Sequence, residues 1–368
     1  MRVLVIGAGV IGITSAVAVK ENFPLAKVTV IGEKFSPETT GDGSAGLWSP
    51  YLLANTDPDN ITHWALLTLQ WMETFWKNGL AKETGISLVP IYRVTSDSKG
   101  YSLPTWSCAP YGLHELTAKE ICQLNKSKNS KFTGGIHYLA YICEPTRLLP
   151  WLMQKFVSMG GKIIRQRVSR LKEFDSNAYD VIINCTGLGA RYFVGDQSVF
   201  PIRGQVMRVE APWLLETFLS DDQDGNYIIP NIDCVILGGT HQENDNEVHP
   251  REEDSRFIFK GCKRLYPSVS ETTVLKEWVG FRPGRDKVRL ESEIIYTLGG
   301  KSTLVNIMPC CMRVRELDLI TRLSSYPLPP RKPHKDGTNL GKSYVRLAYL
   351  LEPSLALTCP IHQPGDER

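Results

Sequence analysis

The chain has 368 residues, 42% of them hydrophobic and 22% charged, which is material for two domains with their own apolar cores. Its 42 basic and 39 acidic residues leave a formal charge of +3, too even a balance for a nucleic-acid-binding surface or for disorder driven by charge. The nine cysteines form neither a CxxC motif nor a Cys/His pair at zinc spacing, so a reducing compartment is expected and no metal site or disulfide framework.

The apolar run Val3 to Val19 is punctuated by Gly7, Gly9 and Gly12 and is followed by no clear cleavage site, so it does not read as a signal peptide. Elsewhere no run reaches the length of a membrane span, and a soluble intracellular protein without a membrane partner is expected. Val3-Leu4-Val5-Ile6 has the continuous apolarity of a strand covered on both faces. Gly7-Ala8-Gly9-Val10-Ile11-Gly12 follows, then a helix over Ile13 to Asn22, a strand over Val28 to Ile31, and Glu33 at its end. In this βαβ order Gly7 allows the tight turn, Gly9 lets the backbone approach a pyrophosphate, and Gly12 lets helix and strand pack closely. The helix amino-terminus then offers free N–H groups to the phosphates, and Glu33 suits the ribose.

Farther along, Val181-Ile182-Ile183 reads as a second buried strand running into Thr186-Gly187. Gln205 to Glu210 mixes polar and apolar residues as a half-exposed antiparallel strand would, and Tyr227 opens the strand Tyr227-Ile228-Ile229-Pro230. Val235 to Thr240 reads as the strand returning from the turn at Asn231-Ile232-Asp233, with His241 at its end. Arg282 lies among the apolar Trp278, Val279 and Phe281 and is held extended by Pro283. A guanidinium there offers two parallel donors to a carboxylate.

VIGAGVIG at 5–12, EKFSPETT at 33–40, AGLWSPY at 45–51, DVIINCTGLGAR at 180–191, LGGTHQ at 237–242 and EWVGFRPGRDKVRLE at 277–291 together resemble the D-amino-acid oxidase and D-aspartate oxidase family. FPIRGQVMRVEAPW at 200–213 and YIIP at 227–230 carry the same resemblance, in the family's order, to about residue 306. It implies an α/β fold: a Rossmann-like FAD-binding domain drawn from 1–52, 144–195 and 286–306, and a substrate domain of 53–143 and 196–285 with a large antiparallel sheet. The implied cofactor is FAD, held by Gly7, Gly9, Gly12, Glu33, Lys34, Thr39, Thr40, Val168 and Thr186, with Leu47, Trp48 and Ser49 beside the flavin. Arg282 and Tyr227 are the implied α-carboxylate anchors, Ser49 lies in the same site, and His241 would meet a side-chain carboxylate.

The flavin performs the redox step, so no side chain has to act as a catalytic base. The expected reaction is oxidation of D-aspartate or D-glutamate to the 2-oxo acid, ammonia and hydrogen peroxide, with O2 as acceptor. An oxidase for neutral D-amino acids and a non-catalytic variant are the alternatives. The short segment Ser220 to Asn226, without the extra lid tyrosine of neutral-substrate oxidases, favours the acidic substrate.

The resemblance stops near Asn306, and the expectation for 307–368 is a divergent, partly disordered tail. The family's glycine-rich flavin loop is missing there, since no glycine occurs between Gly300 and Gly337. Weak FAD retention is expected in consequence. The family implies the peroxisomal matrix, but Gly365-Asp366-Glu367-Arg368 is not a targeting tripeptide of the SKL type, which leaves the cytoplasm as the alternative.

Overall fold

A computed structural model describes residues 1–173, 178–297 and 300–308, and the tail after Met308 lies outside the described residues. Elements are numbered along the chain. Six strands form one sheet in the order β14 (Arg289–Thr297), β15 (Gly300–Met308), β7 (Val181–Asn184), β1 (Arg2–Ile6), β2 (Lys27–Gly32) and β6 (Lys162–Arg165). Its neighbours are parallel except in the hairpin of β14 and β15. Val3 to Ile6 and Val181 to Asn184 are wholly buried, which is why these runs carry no alternation.

Helix α1 (Val10–Asn22) joins β1 to β2 and starts directly after Gly9, nearly a turn earlier than the expected Ile13. Gly12 therefore lies inside the helix rather than in the turn before it. The reason is steric: a Cβ on Gly12 would stand 1.8 Å from the Gly7 carbonyl oxygen. Close packing, not turn conformation, requires that glycine.

The second sheet has nine strands. Eight run in the order β13 (Thr273–Gly284), β8 (Phe200–Glu210), β11 (Val235–Gly238), β10 (Tyr227–Pro230), β9 (Thr217–Ser220), β3 (Ile86–Thr95), β5 (Gly134–Cys143) and β4 (Tyr111–Glu115). The two-residue strand β12 (Gln242–Glu243) also pairs with β8. All pairs are antiparallel except β3 with β9, so the sheet is mixed rather than purely antiparallel.

Helix α7 (Glu252–Leu265) covers one face of this sheet, packing Ile258, Cys262 and Leu265 on Met207, Val209, Phe218, Ile228 and Leu237. That contact corrects the expectation of a half-exposed strand at Gln205 to Glu210. β8 is buried over most of its length, and the Gln205 Nε2 donates to Ser255 Oγ at 2.8 Å and to the Arg251 carbonyl at 2.9 Å. Gln205 thus faces the polar start of α7, Arg208 donates to the Asp42 carbonyl from the other face at 2.6 Å, and Glu210 is exposed. The expected strand over Val235 to Thr240 also stops early, at Gly238. There the Thr240 hydroxyl accepts from the Gln205 N–H at 2.9 Å and takes the place of a ladder partner.

Candidate active site

The glycine turn lies at the carboxyl end of β1, where parallel strands open a crevice. Gly7 has φ +105°, and a Cβ there would come within 2.2 Å of the Cys185 carbonyl oxygen, so β7 presses directly on the turn. Gly9 differs: nothing stands within 4 Å of its Cβ position, which leaves open space above the backbone. α1 begins at that point with no side-chain cap and no acidic residue in its first turn. By contrast α2 (Pro58–Lys77) is capped by Asp57, and α4 (Ala118–Lys128) by Thr117 with Glu120. The orphan N–H groups of α1 therefore face space suited to an anion.

Glu33 is exposed at the end of β2, 3.9 Å from Arg167 Nε. Lys34 and Thr40 are exposed, whereas Thr39 is buried and its Oγ1 donates to Asp42 Oδ2 at 2.5 Å. Thr186 Oγ1 donates to Asn184 Oδ1 at 2.8 Å, and Val168 packs with the core under β1 and β2. Trp48 is buried, with its indole N–H donating to the Ala65 carbonyl at 2.9 Å, so what it can offer a ligand is backbone.

The face of the nine-stranded sheet opposite α7 carries the remaining candidates, and strand register puts several in one row. Arg93 of β3 pairs with Leu219, Leu219 with Tyr227, Tyr227 with Gly238, Gly238 with Val206, and Val206 with Trp278. Paired residues share a face, as do residues two apart, so Arg282 projects from the same side as Tyr227. The Tyr227 ring lies over Gly238 and Gly239, where a Cβ would come within 2.1 and 2.8 Å of its atoms. The Arg282 guanidinium lies over Gly204, where a Cβ would stand 2.3 Å from Nη1, and that Nη1 donates to the Thr240 carbonyl at 3.1 Å. Thus Arg282 and Tyr227 meet at Gly238 to Thr240, on a floor that glycines keep low. His241 follows at once and is exposed, its ring beside Gly225.

One segment crosses this face. Cys143 N donates to Gly46 O and Trp48 N to Tyr141 O, both at 2.9 Å, which anchors its start along β5. Leu47 forms a bridge to Ile142 there. Ser49 Oγ then accepts from Arg93 Nη1 at 3.0 Å, the Tyr51 ring centroid lies 6.0 Å from Arg282 Cζ, and Asn55 N donates to Asp286 O at 2.8 Å.

Residues 2–306 match the model of the DAO family, described as FAD dependent oxidoreductase. The chain belongs to that family. It is 33% identical over 305 residues to a human D-aspartate oxidase, covering 83% of this chain and 87% of the relative. To a D-amino acid oxidase of Dugesia ryukyuensis it is 34% identical over 318 residues, covering 83% and 90%. A glycine oxidase crystal structure from Geobacillus kaustophilus shares the fold at TM-score 0.71 and 17% identity, over 88% of this chain and 93% of that one.

As a DAO-family member the protein is an FAD-dependent oxidoreductase, and its residues fit the cofactor. The open space above Gly9, the uncapped start of α1 and the exposed Glu33 carboxylate suit a pyrophosphate and a ribose. Leu47, Trp48 and Ser49, at the start of the crossing segment, would border the flavin.

Sequence reasoning missed the partners of Ser49. Arg93 donates from Nε and Nη2 to the two Asp221 carboxylate oxygens at 3.0 and 2.6 Å, and Tyr101 Oη donates to Asp221 at 2.7 Å. Burial alone would lower the Arg93 pKa, but the Asp221 carboxylate carries it above its ordinary value. Beside Arg93 and Ser49 lies the Tyr138 phenol, buried and without hydrogen-bond geometry to either, and burial pushes it up to about 12. The available signal was a lone arginine inside the apolar strand Ile86 to Thr95.

Proposed function

We propose that this enzyme oxidises D-amino acids, with a preference for the acidic substrates D-aspartate and D-glutamate. Substrate, O2 and water would give the 2-oxo acid, ammonia and hydrogen peroxide. The observation that carries the reading is the convergence of Arg282 and Tyr227 on Gly238 to Thr240, under the segment that brings Ser49 and Tyr51 across the same face. The bound flavin supplies two-electron acceptance from the substrate Cα–H bond. Arg282 is suited to pair with the α-carboxylate through parallel donors, and the Tyr227 phenol to add a third. Together they fix the carboxylate end of the substrate beneath the crossing segment.

The names of the relatives support D-amino acids as the substrate class. His241, next to the carbonyl that Arg282 holds, supports an acidic side chain. The division into an FAD domain of 1–52, 144–195 and 286–306 and a substrate domain of 53–143 and 196–285 belongs to the same proposal. It is supported by the six- and nine-stranded sheets, whose strands fall in those two sets of segments apart from the last two residues of β15. The purified protein with added FAD tests the function by anaerobic bleaching of the flavin band. Bleaching by D-aspartate in preference to D-alanine is expected. Bleaching by D-alanine alone would move the assignment to a neutral-substrate oxidase, and no bleaching by either would remove it.

A further inference from the structure

Arg93 stands two strands from Tyr227 in the same row, a separation of about 10 Å between backbones. The two share a face, and Ser49 of the crossing segment touches Arg93 while Tyr51 of that segment lies at Arg282. The two arginines therefore mark two ends of the ground that one short stretch of chain covers. Arg93 is also accessible from a cavity of about 330 Å³ walled by Pro50, Tyr101, Trp106 and Asp221. Trp106 lies flanking its guanidinium, with the ring centroid 5.5 Å from Cζ.

We propose that Arg93 is a specificity-determining residue, the anchor for the side-chain carboxylate of an acidic substrate whose α-carboxylate is held at Arg282. Asp221 is its intramolecular stand-in, a carboxylate already seated on Nε and Nη2 in the geometry a ligand carboxylate would take. Three of the five guanidinium N–H donors serve Asp221 and Ser49, which leaves two directed elsewhere on the group. Asp221 holds Arg93 extended toward the cavity, but its charge also opposes an incoming anion. Removing the anchor and removing the competitor should therefore act in opposite directions on a dicarboxylate. A pair with a merely structural role would respond to both losses in the same direction.

This inference rests on the oxidase reading, and its test needs no turnover. Succinate and butyrate share a four-carbon skeleton and differ by one carboxylate, and neither carries an amine to oxidise. Calorimetric titration of the full chain in excess FAD gives their affinity ratio. The wild-type protein is expected to prefer succinate by about a hundredfold, the worth of two modest charge-assisted contacts, from Arg93 and His241. Arg93→Gln is expected to cut that preference about tenfold, leaving the share of His241, and Asp221→Asn to raise it by a further severalfold. Retention of the full preference in Arg93→Gln overturns the proposal, as does its loss in Asp221→Asn or its absence from the wild type. Should Arg93→Gln fail to fold, the rise or fall in Asp221→Asn still decides. Flavin bleaching reads the underlying assignment separately: if D-aspartate bleaches while Arg93→Gln keeps its full succinate preference, the inference about Arg93 falls alone. If no D-amino acid bleaches the flavin, the oxidase reading falls, and with it the substrate named here.

Discussion

Arg282 and Thr240 are joined by a 3.1 Å hydrogen bond from guanidinium Nη1 to backbone carbonyl, which aims the arginine across the sheet toward the Tyr227 ring. A lysine at 282 would keep the charge and lose the paired donors. Arg282→Lys should retain FAD and lower kcat/KM for D-aspartate by roughly 30- to 100-fold, about 2–3 kcal/mol of lost charge-assisted contacts. Oxygen uptake kinetics check this, and near-normal values would take Arg282 out of the site.

His241 tests selectivity instead. Its position one residue beyond the Thr240 carbonyl and beside Gly225 gives it access to the rim of the site. His241→Ala should weaken D-aspartate by about 1.5–3 kcal/mol and leave D-alanine nearly unchanged. Equal losses for both substrates in steady-state assays would make the residue structural.

The glycines of the turn should separate folding from cofactor binding. Gly9→Ala meets nothing within 4 Å, so the fold should melt normally in circular dichroism. Its methyl would occupy the approach to the pyrophosphate, and FAD affinity by fluorescence titration should fall by tenfold or more, about 1.4 kcal/mol. Gly12→Ala should fail to give folded protein, because its Cβ would collide with Gly7 O at 1.8 Å. Unchanged FAD binding in Gly9→Ala would overturn the assignment of the phosphate site.

Asp196 should matter for stability and its pH dependence. Its Oδ2 receives Arg285 Nε at 3.2 Å and Arg289 Nη1 at 2.9 Å, tying the segment that leads into β8 to the connection between β13 and β14. Burial would raise its pKa, but the two arginines hold it below the ordinary 3.8. The unfolded chain therefore binds a proton first as pH falls. The stabilisation is complete above the unfolded value and is lost as pH drops through the depressed one. Asp196→Asn should cost about 2 kcal/mol at neutral pH, between the values for exposed and buried pairs, and should flatten the acid limb of stability. Urea melts across that limb check both, and an unchanged slope would contradict the role given to Asp196.

The residues legible in the sequence were those whose chemistry depends on local order. Gly7, Gly9, Gly12 and Glu33 sit on consecutive elements of one βαβ unit, and Arg282 stood out among apolar neighbours. The placing of Tyr227, Arg282 and Arg93 on one face depends on pairing across strands far apart in sequence. A slip of one residue in any of those pairings would turn a side chain to the α7 face, so periodicity alone could not find the row. Gln205 misled for a related reason, since its polar partner is a helix some fifty residues away, Ser255.

The six-stranded sheet also has a consequence for synthesis of the chain. β7 lies between β1 and β15, pairing Val181 with both Val3 and Thr303. At roughly 5–20 residues per second, the ribosome delivers the second neighbour of β7 about 6–24 s after β7 itself. Through that interval Val181 to Asn184 is an apolar edge with one side unpaired, open to pairing with another chain. Gly7 rests on the carbonyl of Cys185, so the phosphate-binding turn has no backing until residue 185 has left the exit tunnel. Cofactor loading must therefore wait until at least half of the chain has been made.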